Sequence, residues 1–363
     1  MSLLFESSTE QALMRRALEL AGATRPHPNP RVGAVVLDAG GTVVGEGAHI
    51  GPGHPHAEIV ALERAGSQAR GGTLIVTLEP CSHQGRTPPC TGAVIEAGLR
   101  RIVVGAVDPD RRVAGSGIRQ LQDAGVEVAV GVLAVEAEAS DPAYFHHRRT
   151  GSAMVTLKSA LTLDGQTAAL DGTSRWITGE SAREDGHRLR ARSDAVLVGS
   201  GTVLADDPAL DVRLAGYEGP QPRPVVVLGR RPIPATARVW SRKPLVVAAH
   251  RPALPAGELV LVASNGGGQV DLAEALVRVA DRGYLDVLVE GGAAIAASLW
   301  RHQLVDRGVF YLAGRLAGGR GLSVFDSAWE SVSDARSIEI VGVARVGSDL
   351  RVEWETADQR ASA

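Results

Sequence analysis

Three residues far apart in the chain limit how its first half can fold. His56, Cys81 and Cys90 are all good zinc ligands, and Cys81 and Cys90 are the chain's two cysteines. If they share one metal, the loops that carry them must meet, and a fourth coordination position stays free for water. Glu58 lies two residues from His56, close enough to act on that water without ligating the metal. Zinc lowers the pKa of bound water towards neutrality, and a neighbouring carboxylate can move its protons. A disulfide between the cysteines is the bland alternative. In a chain with no export signal it is the weaker reading, because cytosolic thiols stay reduced.

The elements around these residues read as α/β. Thr9 to Ala21 has helical spacing, ended by His27-Pro28-Asn29-Pro30. Val32 to Leu37 reads as a buried strand, and Gly40-Gly41 turns it into Thr42 to Glu46. Ala57 to Ala69 reads as a helix, which puts His56 and Glu58 at a helix N-terminus. Thr73 to Leu78 is an apolar strand that delivers Glu79, Pro80 and Cys81 at its carboxyl end, where α/β folds place their chemistry. Thr91 to Leu99 reads as a helix with Cys90 at its start, a position that favours the thiolate. Ile102 to Val107 and Val126 to Val132 read as strands, with a helix at Ser116 to Ala124. Pro142 to Thr150, with His146, His147, Arg148 and Arg149, reads as a solvated joint in preference to a second metal site.

A second α/β pattern begins at Met154. Strands are expected at Met154 to Lys158, Ala195 to Gly199, Pro224 to Leu228, Pro244 to Ala248, Leu259 to Val262, Asp286 to Val289 and Val309 to Leu312. Helices are expected at Ser181 to Ala191, Leu272 to Arg282 and Ala293 to Leu304, and a closing pair of strands after Arg336. Two glycine turns follow predicted strands. Gly199-Ser200-Gly201-Thr202 reads equally as a phosphate loop or a plain turn. Glu290-Gly291-Gly292 feeds a helix, and there the dinucleotide phosphate is the favoured reading. Gly266 to Gly268 reads as a loop.

At 363 residues, with 44% hydrophobic and 22% charged residues, two domains are the expectation. A net charge of −3 and 4% aromatic residues give no footprint for nucleic acid. No stretch reads as a membrane span or signal peptide, so the cytoplasm is the expected location. A nucleobase deaminase signature runs His-x-Glu, then Pro-Cys-x-x-Cys. This chain departs from it, with eight residues, Ser82 to Pro89, between the cysteines.

The full run of motifs resembles the bifunctional riboflavin-biosynthesis deaminase-reductases. It comprises His27 to Pro30, His56-Ala57-Glu58, Thr77 to Cys90, Leu163-Asp164-Gly165, Trp176-Ile177-Thr178, Leu204 to Pro208 and Glu290-Gly291-Gly292. The long insert between the cysteines is that family's own form of the motif. The resemblance implies a cytidine-deaminase-like three-layer domain over 1–148, a dihydrofolate-reductase-like domain over 149–358 and a frayed tail over 359–363. It implies hydrolytic removal of the 2-amino group from 2,5-diamino-6-ribosylamino-4(3H)-pyrimidinone 5′-phosphate. NADPH-dependent reduction of the ribosyl group then gives 5-amino-6-ribitylamino-uracil 5′-phosphate. A deaminase of nucleobases or nucleic acid with a C-terminal binding module is the alternative.

By position, the resemblance implies zinc on His56, Cys81 and Cys90, and proton transfer by Glu58. It puts Asn29, His49 and Arg86 against the first substrate, with Arg86 on its phosphate. Ala160, Trp176, Thr178, Thr202, Asp206, Gly291 and Gly292 fall on cofactor positions. Lys158, Ser174, Arg190, Leu210, Arg213 and Glu290 fall on positions for the second substrate. The expected partners are small phosphorylated pyrimidines and a second copy of the chain, as dimer or tetramer, with no nucleic acid and no membrane. Two places depart from the family. Gly229-Arg230-Arg231 stands where an acidic residue and serine are usual, so Arg230 or Arg231 is expected to meet the cofactor's 2′-phosphate. Asp108-Pro109-Asp110-Arg111 stands in place of Asp-Pro-Asn-Pro, expected to alter a loop and not the chemistry.

Overall fold

Val35, Ile75 and Val103 share one face of a five-stranded sheet, and Ala34, Val36, Leu74, Val76, Ile102 and Val104 share the other. All nine are fully buried. A sheet buried on both faces needs a helical layer on each. In a computed structural model of the chain, which describes residues 8–82, 88–110, 113–265, 269–325 and 330–356, both layers are present. The chain divides into two units, Met1–Gly151 and Ser152–Ala363.

The first unit runs α1 (Ser8–Gly22), β1 (Gly33–Leu37), β2 (Val43–Ala48), α2 (Ala57–Ala65), β3 (Thr73–Leu78), α3 (Cys90–Glu96), β4 (Arg101–Ala106), α4 (Ser116–Asp123), β5 (Glu127–Val130), α5 (Ala134–Ser140) and α6 (Pro142–Thr150). Its strand order is β2-β1-β3-β4-β5, antiparallel up to β3 and parallel from β3 to β5. Met14 and Ala17 of α1 pack with Val35, Ile75 and Val103 on the first face. The other face belongs to α2. Gly45 and Gly47 of β2 pair with Val36 and Ala34, so they point the same way. A Cβ at Gly45 would stand 2.1 Å from the Ala61 carbonyl oxygen, and one at Gly47 would stand 2.2 Å from that of Ala57. The helix therefore lies backbone to backbone on β2, and this sets where His56 and Glu58 emerge.

The second unit runs β6 (Met154–Thr162), β7 (Gln166–Ala168), α7 (Glu180–Arg192), β8 (Ala195–Gly199), α8 (Ser200–Asp206), β9 (Arg223–Val227), β10 (Leu245–Ala248), β11 (Glu258–Leu261), α9 (Leu272–Ala280), β12 (Asp286–Val289), α10 (Ala293–Arg301), β13 (Arg307–Ala313), β14 (Leu322–Ser323), β15 (Ile338–Val346) and β16 (Asp349–Thr356). Nine strands form one sheet in the order β11-β10-β9-β8-β12-β6-β13-β16-β15. It is parallel from β11 to β13, and β16 and β15 close it as an antiparallel pair. The valines of β8, β9 and β10 are buried because both sheet faces are covered. Val196, Val198, Val226, Val246 and Leu288 form the centre of this core with Trp240.

Three readings of the sequence need correction. Pro142 to Thr150 ends at the boundary between the two units, as a joint would, but it is not a solvated segment: it is helix α6, capped by the Asp141 side chain on the Tyr144 amide, with Ala143, Tyr144 and Phe145 buried. Its charged tail hid an Asp-Pro start, a cap followed by proline at the first helical position. The strand read as ending at Lys158 continues to Thr162, paired with β13. The turn read over Gly199 to Thr202 is shorter than expected, because helix α8 begins at Ser200 and takes in Gly201 and Thr202. Gly266 to Gly268 lie outside the described residues.

Candidate metal centre and glycine-turn crevice

The ligand atoms of His56, Cys81 and Cys90 lie within 4.8 Å of one another. His56 precedes α2 in extended conformation, Cys81 follows the carboxyl end of β3, and Cys90 is the first residue of α3. His56 faces the sulfurs with Nδ1, 3.1 Å from Cys90 Sγ and 3.6 Å from Cys81 Sγ. The Cys90 amide points at Cys81 Sγ, 3.4 Å away. Contact with the Cys90 thiol, and then with His56, holds the Cys81 pKa low, whereas the Cys81 sulfur and burial push Cys90 up. A cation relieves that competition by letting both bind as thiolates. One imidazole and two thiolates at this spacing fit tetrahedral zinc with one open position.

Glu58 is buried in the first turn of α2, and burial raises its carboxyl pKa. Raising a carboxyl pKa makes the group a stronger base for a proton it must take and then return. A cleft of about 60 Å³ opens beside it, lined by Asn29, His49, His56, Glu58, Glu79, Cys81 and Asp108 among others. His49 is fixed at both ring nitrogens, with Nδ1 3.0 Å from the Pro55 carbonyl and Nε2 2.9 Å from Asn29 Nδ2. The expected set Asn29, His49, His56, Glu58 and Cys81 thus comes together, while Arg86 lies outside the described residues.

Two residues of this cleft were missed as site residues. The buried Glu79 carboxylate accepts backbone N–H groups from Asp108, Gly115, Gly117 and Ile118, at 3.3, 2.8, 2.9 and 3.3 Å. It caps α4 from just beyond the end of β3 and so anchors the turn that carries Cys81. Asp108 is buried, and burial pushes its carboxyl up to about 6. Its only sequence signal was the Asp-Pro motif.

In the second unit, β12 and β8 end side by side, the Glu290 amide bonding to the Leu197 carbonyl. The two glycine turns therefore meet. The Gly292 amide donates to Thr202 Oγ1 at 3.0 Å, and a Cβ at Gly291 would stand 3.2 Å from that oxygen. Asp206, at the end of α8, holds Arg175 at 2.8 Å, next to Trp176, which is 60% exposed and lies 4.6 Å from the Arg183 guanidinium. Thr178 is buried, with its carbonyl on Arg183. Ala160 and Lys158 sit on β6 beyond the last residue paired with β12, so they border the crevice at Glu290.

Glu290 binds Arg190 through both carboxylate oxygens, at 2.7 and 2.8 Å. Burial alone would raise Glu290, but Arg190, Lys158 and His187 hold its pKa at about 2. His187, one helical turn before Arg190 on α7, was missed; burial, Arg190 and Arg213 lower its pKa. Arg213 is exposed, its amide directed at His187 Nδ1. Ser174 is half-buried. The Leu210 side chain is in the core, so a ligand contact there falls to its backbone.

Residues 7–106 match the cytidine and deoxycytidylate deaminase zinc-binding region, and residues 153–352 match the RibD C-terminal domain. The riboflavin biosynthesis protein RibD of Mycobacterium tuberculosis is 41% identical over 342 residues, 93% of each chain. That of Escherichia coli K12 is 38% identical over 94% of this chain and 98% of its own. The chain belongs to the RibD family. Solved RibD structures agree. One from Acinetobacter baumannii superposes with a TM-score of 0.89 at 34% identity, covering 96% of this chain and 99% of that one. A deaminase/reductase from Thermotoga maritima gives 0.85 at 36% identity, covering 96% and 99%. As a RibD, the chain is a bifunctional deaminase and reductase of riboflavin biosynthesis, with a cytidine-deaminase-like unit that binds zinc and a dihydrofolate-reductase-like unit. Two matched catalytic halves favour this reading over a lone deaminase with a binding module. Among the described residues no helix is long and apolar enough to cross a membrane.

Proposed function

We propose that the first unit hydrolyses the 2-amino group of 2,5-diamino-6-ribosylamino-4(3H)-pyrimidinone 5′-phosphate. The second unit then reduces the ribosyl group of the product with NADPH, giving 5-amino-6-ribitylamino-uracil 5′-phosphate. The observation that carries the first step is the buried Glu58 beside a converged His56, Cys81 and Cys90. Zinc held there supplies the acidity that lets water react as hydroxide near neutral pH. Glu58 takes a proton from water as its oxygen bonds to C2 and delivers it to the departing amine nitrogen; the C2–N bond breaks, ammonia leaves, the oxygen stays on the ring as a carbonyl and its other proton ends on the ring nitrogen. Asn29 and His49, locked to each other, hold the pyrimidine edge. Arg86 takes the phosphate.

For the second step, Thr202, Gly291 and Gly292 offer a hydroxyl and backbone amides to the cofactor's phosphates. Ala160, Trp176, Thr178 and Asp206 complete the cofactor contacts, and Arg230 or Arg231 meets the 2′-phosphate. NADPH held there would supply a hydride to the ribosyl carbon. Lys158, beside the crevice, supplies or holds the proton at the ring oxygen that opens. Arg190, Arg213, Glu290, Ser174 and the backbone of Leu210 orient the substrate. The chain works in the cytoplasm as a dimer or tetramer. Purified protein given the diaminopyrimidine ribosyl phosphate and NADPH is expected to release one ammonia for each NADPH oxidised. NADPH oxidation without ammonia, or ammonia without oxidation, contradicts the sequence of reactions.

A further inference from the structure

Helix α6 touches both loops that border the metal cleft, and no step above uses it. Asp141, its cap, and His27 have side chains only 3% and 2% exposed, and His27 Nε2 lies 2.8 Å from Asp141 Oδ1. The other oxygen, Oδ2, accepts the Arg31 amide at 2.8 Å. One carboxylate thus grips the chain two residues before and two residues after Asn29. One turn on, the buried Tyr144 hydroxyl donates to the Asp108 carboxylate, at 3.2 and 3.1 Å from its two oxygens. A further turn on, Arg148 reaches the Pro28 carbonyl at 3.5 Å and stands over the Tyr144 ring at 4.8 Å. Positions 141, 144 and 148 share one helix face, and all three point to cleft loops. Asn29 and Asp108 both line that cleft. A buried hydrogen-bonded pair adds only modest net stability, so its placement around Asn29 speaks for geometry.

We propose that α6 is the positioning element of the deaminase site, with Asp141, His27 and Tyr144 setting the places of Asn29 and Asp108. The proposal rests on the deaminase reading of the zinc cleft. It is tested in the full chain with Asp141→Asn and Tyr144→Phe. Four quantities are measured: zinc per chain, KM and kcat for ammonia release, and NADPH oxidation on the already deaminated intermediate. Each variant is expected to raise KM for deamination about tenfold, as for a lost hydrogen bond to a charged group, with kcat changed less than about threefold. Zinc content and NADPH oxidation stay at wild-type values. Tyr144→Phe keeps the ring under Arg148, so it reports even if Asp141→Asn fails to fold. Unchanged KM in Tyr144→Phe overturns the proposal, and so does loss of zinc in step with activity. A wild type that releases no ammonia removes the deaminase reading, and the proposal with it.

Discussion

Adding one methyl group to Gly47 tests whether the helix-on-strand contact places the catalytic residues. Gly47 φ lies outside the left-handed region, so alanine meets no backbone penalty there. The obstacle is space: the new Cβ would stand 2.2 Å from the Ala57 carbonyl oxygen, 2.7 Å from the Ala61 amide nitrogen and 2.9 Å from Val60 Cβ. Ordinary contact begins at 3.4 Å, so α2 must retreat by about 1.2 Å. The shortest of these contacts is to Ala57, the chain neighbour of both His56 and Glu58. Overpacking of this kind costs about 1–3 kcal/mol of stability. A displacement of about 1 Å at a reacting group costs about a hundredfold in rate. Gly47→Ala is therefore expected to lower kcat for ammonia release by about a hundredfold, while NADPH oxidation on the deaminated intermediate is unchanged. Gly92→Ala is the control, because a Cβ there meets nothing within 4 Å; it is expected to keep full activity. Gly47→Ala with a wild-type rate of ammonia release would refute the reasoning.

Three further outcomes are expected. The Glu290 carboxyl, held at about 2 against an ordinary 4.5, contributes stability that is present above pH 4.5 and lost as pH falls towards 2. That contribution is about 3 kcal/mol, so urea midpoints of Glu290→Gln should fall less steeply than wild type below pH 4.5, and parallel curves contradict it. Asp108, raised to about 6, has the opposite sign: its stabilising influence is present below about 4 and lost as pH rises through 6. Asp108→Asn should therefore stabilise metal-free protein at pH 7 by up to about 3 kcal/mol while impairing deamination, and a lower urea midpoint would count against this. Cys81→Ser should lose zinc and ammonia release together while NADPH oxidation on the deaminated intermediate persists; metal analysis that still finds one zinc per chain contradicts the ligand set.

What could be read in advance follows from the range of each interaction. Zinc accepts few donor types, so two cysteines and a His-x-Glu pointed to a metal centre by residue type, although the eight residues between the cysteines departed from the usual signature, and buried strands announced themselves as valine runs. The residues that steady the site were hidden because their partners are distant in sequence. Asp141 meets His27 across 114 residues, and Glu79 meets Gly117 across 38. Nothing local distinguishes such a carboxylate from a solvated one. Gly45 and Gly47 of β2 carry no local signal of their role, because their use as a bed for α2 depends on a helix that follows them. In the second unit the two glycine turns were visible singly. Their union through Thr202 and Gly292 required the strand order that sets β8 beside β12.

The central claim is that Glu58 moves the protons of a deamination that must precede reduction. The most direct measurement follows NADPH absorbance with Glu58→Gln on two substrates, the diaminopyrimidine ribosyl phosphate and its deaminated form. The account predicts that the variant binds zinc, oxidises NADPH with the deaminated form at the wild-type rate, and neither releases ammonia nor oxidises NADPH with the diamino compound. Oxidation of NADPH by the variant on the diamino compound would contradict it.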